Sequence, residues 1–346
     1  MKKWILIVLL LTFTAMPVSA EEITAPAAPD SALELMPAQT STFGEDLWYV
    51  FKSAVAKLQP DISQAGGVCL SVMAAVLLTS LLDSFPGLSK SVGELAVTIL
   101  VACLLLGSAN SLVSEAVNTV RELSDYGKLL LPVMTTAMAA QGGVTGSTAL
   151  YTGTAVFDAV LSALVAAVLV PMIYIYLALA TANGALGQDL LKKLRDLAKW
   201  LVTWALKIIL YVFTGYMAVT NVISGTADQA AVKAAKLTIS GAVPVVGGIL
   251  SDASEAILVS AGVIKNAAGV YGLIAVFSIA IGPFLRIGVH YLLLKLTGAV
   301  CSVFAGKKTT ELISDFSGAM GLLLSMTGTV CLLLLISLVC FLKGVS

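Results

Sequence analysis

The side chains able to do chemistry in this 346-residue chain are few, and most sit within or beside long apolar runs. Glu94, Asp158, Lys207, Asp252, Glu255 and Arg286 are the ones so placed. An ionisable group in hydrocarbon is costly, so it faces a bundle interior or a wet cavity and marks a solute or proton path. Glu94 and Asp158 lie near the ends of their runs, and Lys207 is close enough to an end to snorkel back. Arg286 follows Pro283 and Phe284, while Asp252 and Glu255 follow Pro244, Gly247 and Gly248. An ion pair between Arg286 and Asp252 across a cavity is one pairing that these positions suggest. Other chemistry lacks its parts. The single histidine, His290, supports neither an HExxH zinc site nor a Ser-His-Asp triad. Gly306-Lys307-Lys308-Thr309 lacks the glycine spacing of a nucleotide-binding loop. Cys69, Cys103, Cys301, Cys331 and Cys340 form no CxxC pair and read as small packing residues. The expectation is a chain that is not an enzyme and holds no metal or cofactor.

The elements that must position these groups follow from composition. Hydrophobic residues make up 58% of the chain and charged residues only 12%. A water-facing domain carries about 25% charged residues, so most of this chain cannot coat itself for water, nor can it be disordered. Twenty basic residues balance twenty acidic ones, which argues against a nucleic-acid partner. The expected fold is all-α, a polytopic helical bundle in a membrane whose lipids are its first partners. Spans of about 20 apolar residues are read at 62–82, 92–113, 155–181, 200–223, 267–289 and 318–342.

Two further uncharged stretches are interrupted. Residues 129–150 contain Pro132 and the Gln141-Gly142-Gly143-Val144-Thr145-Gly146 run; residues 237–262 contain Gly241, Pro244, Gly247 and Gly248. Irregular backbone at membrane depth survives only when buried in protein or lining a wet cavity, and paired broken segments point to a translocation site. Close packing through small residues is the other reading. If both stretches dip in and return, the basic residues Lys192, Lys193, Arg195, Lys199, Lys307 and Lys308 all face the cytoplasm, as positive loops prefer. Six spans plus two re-entrant or discontinuous segments is therefore the expected topology, with eight full spans as the alternative. Ahead of the bundle, residues 1–20 read as a signal peptide and 21–60 as an extracytoplasmic lead-in, leaving 61–346 as the membrane domain. Within the lead-in, Phe43, Leu47, Phe51, Val55 and Leu58 share a helical face, fitting a helix on the membrane surface or one packed on the bundle. Leu190, Leu194, Leu197 and Leu201 form a similar stripe among the basic residues, fitting contact with anionic lipid or with a cytoplasmic partner.

One ordered set of motifs carries a resemblance. Leu131-Pro132-Val133-Met134 leads to Gln141-Gly142-Gly143; Val243-Pro244-Val245-Val246-Gly247-Gly248 and Ser251-Asp252 follow; then come Lys265-Asn266-Ala267, Gly269 and Gly282-Pro283-Phe284-Leu285-Arg286. In this order and over nearly the whole chain, the sequence resembles the stage III sporulation protein AE family of endospore-forming Firmicutes. The resemblance implies a multi-pass protein of the mother-cell membrane around the forespore. It implies a place in a channel or feeding apparatus with a cytoplasmic ATPase and ring-forming membrane proteins, supporting forespore development and the late sigma factor. A scaffold that only anchors this assembly and an independent ion-coupled transporter are the alternatives. The family brings no catalytic residues; Pro132, Gly142, Gly143, Pro244, Gly247, Gly248, Asp252 and Arg286 are the candidate translocation or structural positions.

Overall fold

The computed structural model describes residues 25–37, 42–82, 90–242 and 247–343. The expected signal peptide and Pro244 lie outside them. Nine α-helices follow one another among the described residues, which contain no strand. They are α1 (Asp30–Leu33), α2 (Phe43–Ala56), α3 (Gln59–Leu82), α4 (Lys90–Ala140), α5 (Val144–Leu164), α6 (Val170–Leu186), α7 (Asp189–Ala242), α8 (Gly247–Cys301) and α9 (Lys307–Lys343), with a π-turn at Val165–Leu169 between α5 and α6. In lipid each amide must find its partner within its own segment, and a helix achieves that. Six stretches among the described residues are long and apolar enough to cross a membrane: 59–78, 93–140, 144–186, 189–220, 265–301 and 307–343. Each overlaps one of the six spans read from the sequence.

The helices are longer than those spans. α4 holds 51 residues, about 77 Å at 1.5 Å per residue and more than twice the hydrocarbon thickness. The interrupted stretches are therefore not separate elements. Residues 129–140 continue α4 and 144–150 begin α5, while 237–242 end α7 and 247–262 begin α8. Eight separate spans are not found among the described residues.

Pro132 does not break its helix either. It sits on the exposed face of α4, where the carbonyl it leaves without a donor, that of Lys128, is also on the exposed side. The hydroxyls of Thr135 and Thr136 donate to the carbonyls of Leu131 (2.7 Å), Pro132 (3.1 Å) and Val133 (2.9 Å), reinforcing that turn. The break comes ten residues later. Gly142 has φ 92°, a region that glycine occupies without strain. Its N–H donates to Ala139 O (2.9 Å) and that of Gly143 to Met138 O (3.1 Å). This closes α4 with a Schellman motif, and Gly143 O then accepts from Ser147 N (2.9 Å) to open α5. A tight helical hairpin results. α6 ends likewise at Gly187, φ 68°, where the left-handed residue lets the chain turn into α7.

α9 lies at the centre, touching α4, α5, α6, α7 and α8. It buries Phe316, Met320, Leu323, Met326, Val330, Leu333 and Phe341, among others. α2 packs on the bundle through Val50 and Ala54, against Leu35, Ile274 and Ile281. That face is rotated from the predicted stripe: Phe43 and Val55 remain exposed beside Trp48. The predicted leucine stripe of 190–201 does point outward, with all four leucines exposed, but it is the start of the spanning helix α7 rather than a separate surface helix.

Candidate functional site: a charged cavity among the helices

One face of α4 is polar in the middle of the helix. Asn110, Ser111, Ser114, Glu115, Asn118 and Glu122 recur at helical spacing, while Leu112, Val113, Ala116 and Val120 on the other side are buried in the core. The polar face borders an open cavity of about 830 Å³, whose other walls are α1, α2, the first turn of α3, and the Ser278–Arg286 part of α8.

Arg286 ties three helices together there. Its Nε lies 2.9 Å from Asp61 Oδ1 on α3, and its Nη1 lies 3.0 Å from Glu115 Oε1 on α4. A planar guanidinium can serve two carboxylates at once because its donors are fixed in a fork. Both acids are mostly buried, 14% and 20% exposed at the side chain, whereas Arg286 is 44% exposed. Pro283 stands one turn before Arg286. It leaves the carbonyl of Ile279 without a helical donor, and Ile279, Gly282 and Pro283 all line this wall. The buried hydroxyl of Ser278, also on the wall, has no protein partner. Across the cavity, Ser31 Oγ donates to Glu122 Oε2 (2.8 Å) and Lys57 Nζ lies 2.8 Å from Glu34 Oε2. That ammonium holds the exposed Glu34 carboxyl below its ordinary pKa. The lining carries four acids, Glu34, Asp61, Glu115 and Glu122, against two bases, Lys57 and Arg286. Its balance is therefore negative.

The expected Arg286–Asp252 pair does not form. Both residues lie on α8, 34 positions apart, which places them about 51 Å from one another along a continuous helix. Asp61 and Glu115 take the arginine instead. Gly247 and Gly248 begin α8; the side chain of Asp252 lies outside the described residues, as does Pro244. Pro132, Gly142 and Gly143 belong to the hairpin, and Gly262 of α8 passes so close to it that a Cβ there would sit 2.5 Å from Gln141 Nε2. Of the predicted site residues whose side chains are described, only Arg286 lines the cavity. The polar face of α4 was missed because the run 110–122 straddles the end of a predicted span; its helical periodicity was the available signal.

Several other ionisable groups are paired elsewhere. Asp158 is buried in the hairpin and accepts from Ser124 Oγ (2.7 Å), which in turn accepts from Ser162 Oγ (3.2 Å). At the opposite end of the bundle, buried Arg195 donates to Asp315 of α9 and to Asp196 (2.9 and 3.1 Å). Lys192 lies 3.2 Å from Glu311. His290 contacts the carbonyl of Arg286 through Nδ1 (3.0 Å) and otherwise sits among apolar residues. No group of three or more potential metal ligands occurs among the described residues.

A bundle with six membrane-crossing stretches and a charged cavity walled by helices that also build its core defines a multi-pass membrane protein. The chain belongs to the stage III sporulation protein AE family, whose model matches residues 40–344. Stage III sporulation protein AE of Bacillus subtilis (strain 168) is 20% identical over 244 residues, covering 70% of this chain and 61% of that relative, so the match spans less than two thirds of the relative's length. No solved structure matches. A role in sporulation follows from this membership.

Proposed function

We propose that this chain is the channel or permease-like membrane subunit of the stage III sporulation complex, in the mother-cell membrane around the forespore. The Arg286 cavity is its polar passage. The observation that carries the reading is the polar face of α4: Ser111, Ser114, Asn118 and Glu122 are turned to a cavity of about 830 Å³ on a helix whose opposite side, Leu112, Val113, Ala116 and Val120, is buried in the apolar core. All four side chains are exposed to the cavity rather than packed, and a face that met only lipid or protein would be expected to carry apolar residues there, since polar groups taken out of water cost free energy unless paired. The chain performs no catalysis of its own. Energy comes from a cytoplasmic ATPase, docked at the exposed leucine stripe of 190–201 or at Lys307 and Lys308, and ring-forming membrane proteins complete the path.

The scaffold reading draws support from the hairpin, whose turn is sealed by its own hydrogen bonds. The two separate in one experiment. Asn118→Leu and Ser114→Leu are introduced into the chain in its spore-forming host. Blocked forespore development with normal membrane levels and normal co-purification of the other subunits is expected for a passage. Loss of co-purification would favour the scaffold, and normal spore yield in both variants would remove the cavity from the mechanism.

A further inference from the structure

A second cavity, of about 550 Å³, lies between α7, α8 and α9 and differs in charge from the first. Lys199 and Lys295 face it from α7 and α8, and none of its lining residues is acidic. Hydroxyls supply the rest of its polarity, chiefly Tyr291, Ser302, Ser314 and Ser317. Neighbouring cations are already committed: Arg195 to Asp315 and Asp196, Lys192 to Glu311. By contrast, Lys295 Nζ donates to Tyr291 Oη (3.1 Å) and stands 5.3 Å from that ring's centroid, with no carboxylate beside it. Lys199 forms no ion pair among the described residues. Gly318 leaves room here for two side chains; a Cβ there would come 2.7 Å from Tyr176 Oη and 3.5 Å from Lys199 Nζ.

Two lysines and several hydroxyls without a carboxylate are complementary to a phosphate. The residues that follow the lining ones on α7 and α8 say what bears the phosphate. Trp200 and Trp204, next in sequence to Lys199 and Thr203, are stacked at 5.7 Å and more than half exposed. Leu292 and Leu296, next to Tyr291 and Lys295, are 64% and 61% exposed. Tryptophan beside lysine on an apolar helix face suits the membrane interface, and basic pockets between membrane helices bind anionic headgroups. We propose that this groove seats the headgroup phosphate of an anionic phospholipid, with Lys199 and Lys295 on the phosphate and the acyl chains along Trp200, Trp204, Leu292 and Leu296.

The test uses the full chain in detergent, following its melting midpoint during titration with phosphatidylglycerol, phosphatidylcholine or sodium phosphate. Phosphatidylglycerol raises the midpoint saturably and phosphatidylcholine does not. Lys199→Gln and Lys295→Gln each raise the half-saturating phosphatidylglycerol concentration about fivefold, and the pair together roughly thirtyfold. Lys193→Gln, an exposed lysine outside the groove, leaves it unchanged. Gly321→Leu, which fills the groove without altering charge, weakens the response as well and covers the case in which the double variant does not fold. Wild-type affinity in the double variant, or an equal response to phosphatidylcholine, overturns the proposal. Sodium phosphate that reproduces the shift and competes with the lipid assigns the groove to free phosphate and overturns the lipid assignment.

Discussion

Replacing Arg286 with methionine keeps most of the side-chain volume and removes the charge that joins α3 to α4. Asp61 and Glu115, 14% and 20% exposed, are then left beside each other without a counter-ion. Removing one partner of a fully buried ion pair costs about 3–5 kcal/mol. Arg286 is 44% exposed, and partial solvent screening reduces that to about 2 kcal/mol. A lysine at the same place is a point charge and cannot fork between two acids, so Arg286→Lys falls between the two. The assay is thermal unfolding of the full chain in detergent, beside a count of heat-resistant spores. Arg286→Met is expected to lower the midpoint clearly, and Asp61→Asn with Glu115→Gln in the same background to recover most of the loss. If the arginine variant melts like wild type, or the triple variant melts below the single one, the three residues are not energetically coupled and the cavity wall is held some other way.

Other expectations rest on equally local geometry. A Cβ at Gly153 would meet the Tyr216 ring at 2.0 Å, so Gly153→Ala should cost about 1–3 kcal/mol through overpacking between α5 and α7; Tyr216→Leu should relieve it in a double-variant melt. Arg195→Ala should be strongly destabilising, by about 3–5 kcal/mol, because it strands buried Asp315. Pairing Arg195→Met with Asp315→Leu should restore stability, and loss of both variants alike would refute this account. The Glu34–Lys57 contact should weaken in acid. A carboxyl whose folded pKa is depressed contributes above its unfolded pKa and loses that contribution as pH falls through the folded value. Limited proteolysis of the lead-in at pH 7 and pH 3 should show faster cleavage at the lower pH in wild type, with the difference reduced in Glu34→Gln.

The number of spans was legible because 20-residue apolar runs are a strong signal, and each of 62–82, 92–113, 155–181, 200–223, 267–289 and 318–342 overlaps one membrane-crossing stretch. Their true lengths were not. Polar residues at 114–128 ended the predicted span, yet in the structure they are one side of a continuous helix whose other side is core. The break between α4 and α5 was visible in Gln141-Gly142-Gly143; Pro132 was a false lead, since a proline on the outer face of a helix sacrifices one hydrogen bond that solvent or neighbouring hydroxyls can replace. Arg286 was singled out in the sequence, and the structure places it on the cavity wall. Its partners were not, because Asp61 and Glu115 lie 225 and 171 positions away and only tertiary packing brings them together. The leucine stripe at 190–201 was read as outward-facing, and it is; that Arg195 beside it turns inward to Asp315 had no sequence signal.

The length of α4 has a mechanical consequence. A stiff rod of 51 residues, about 77 Å long, that tilts by about five degrees at one end sweeps the other through about 7 Å. Since Glu115 sits near its midpoint, a small tilt about the end away from the hairpin would reach the cavity at half that stroke and the hairpin at full stroke, as a lever hinged at one end carries motion without needing its arm to bend.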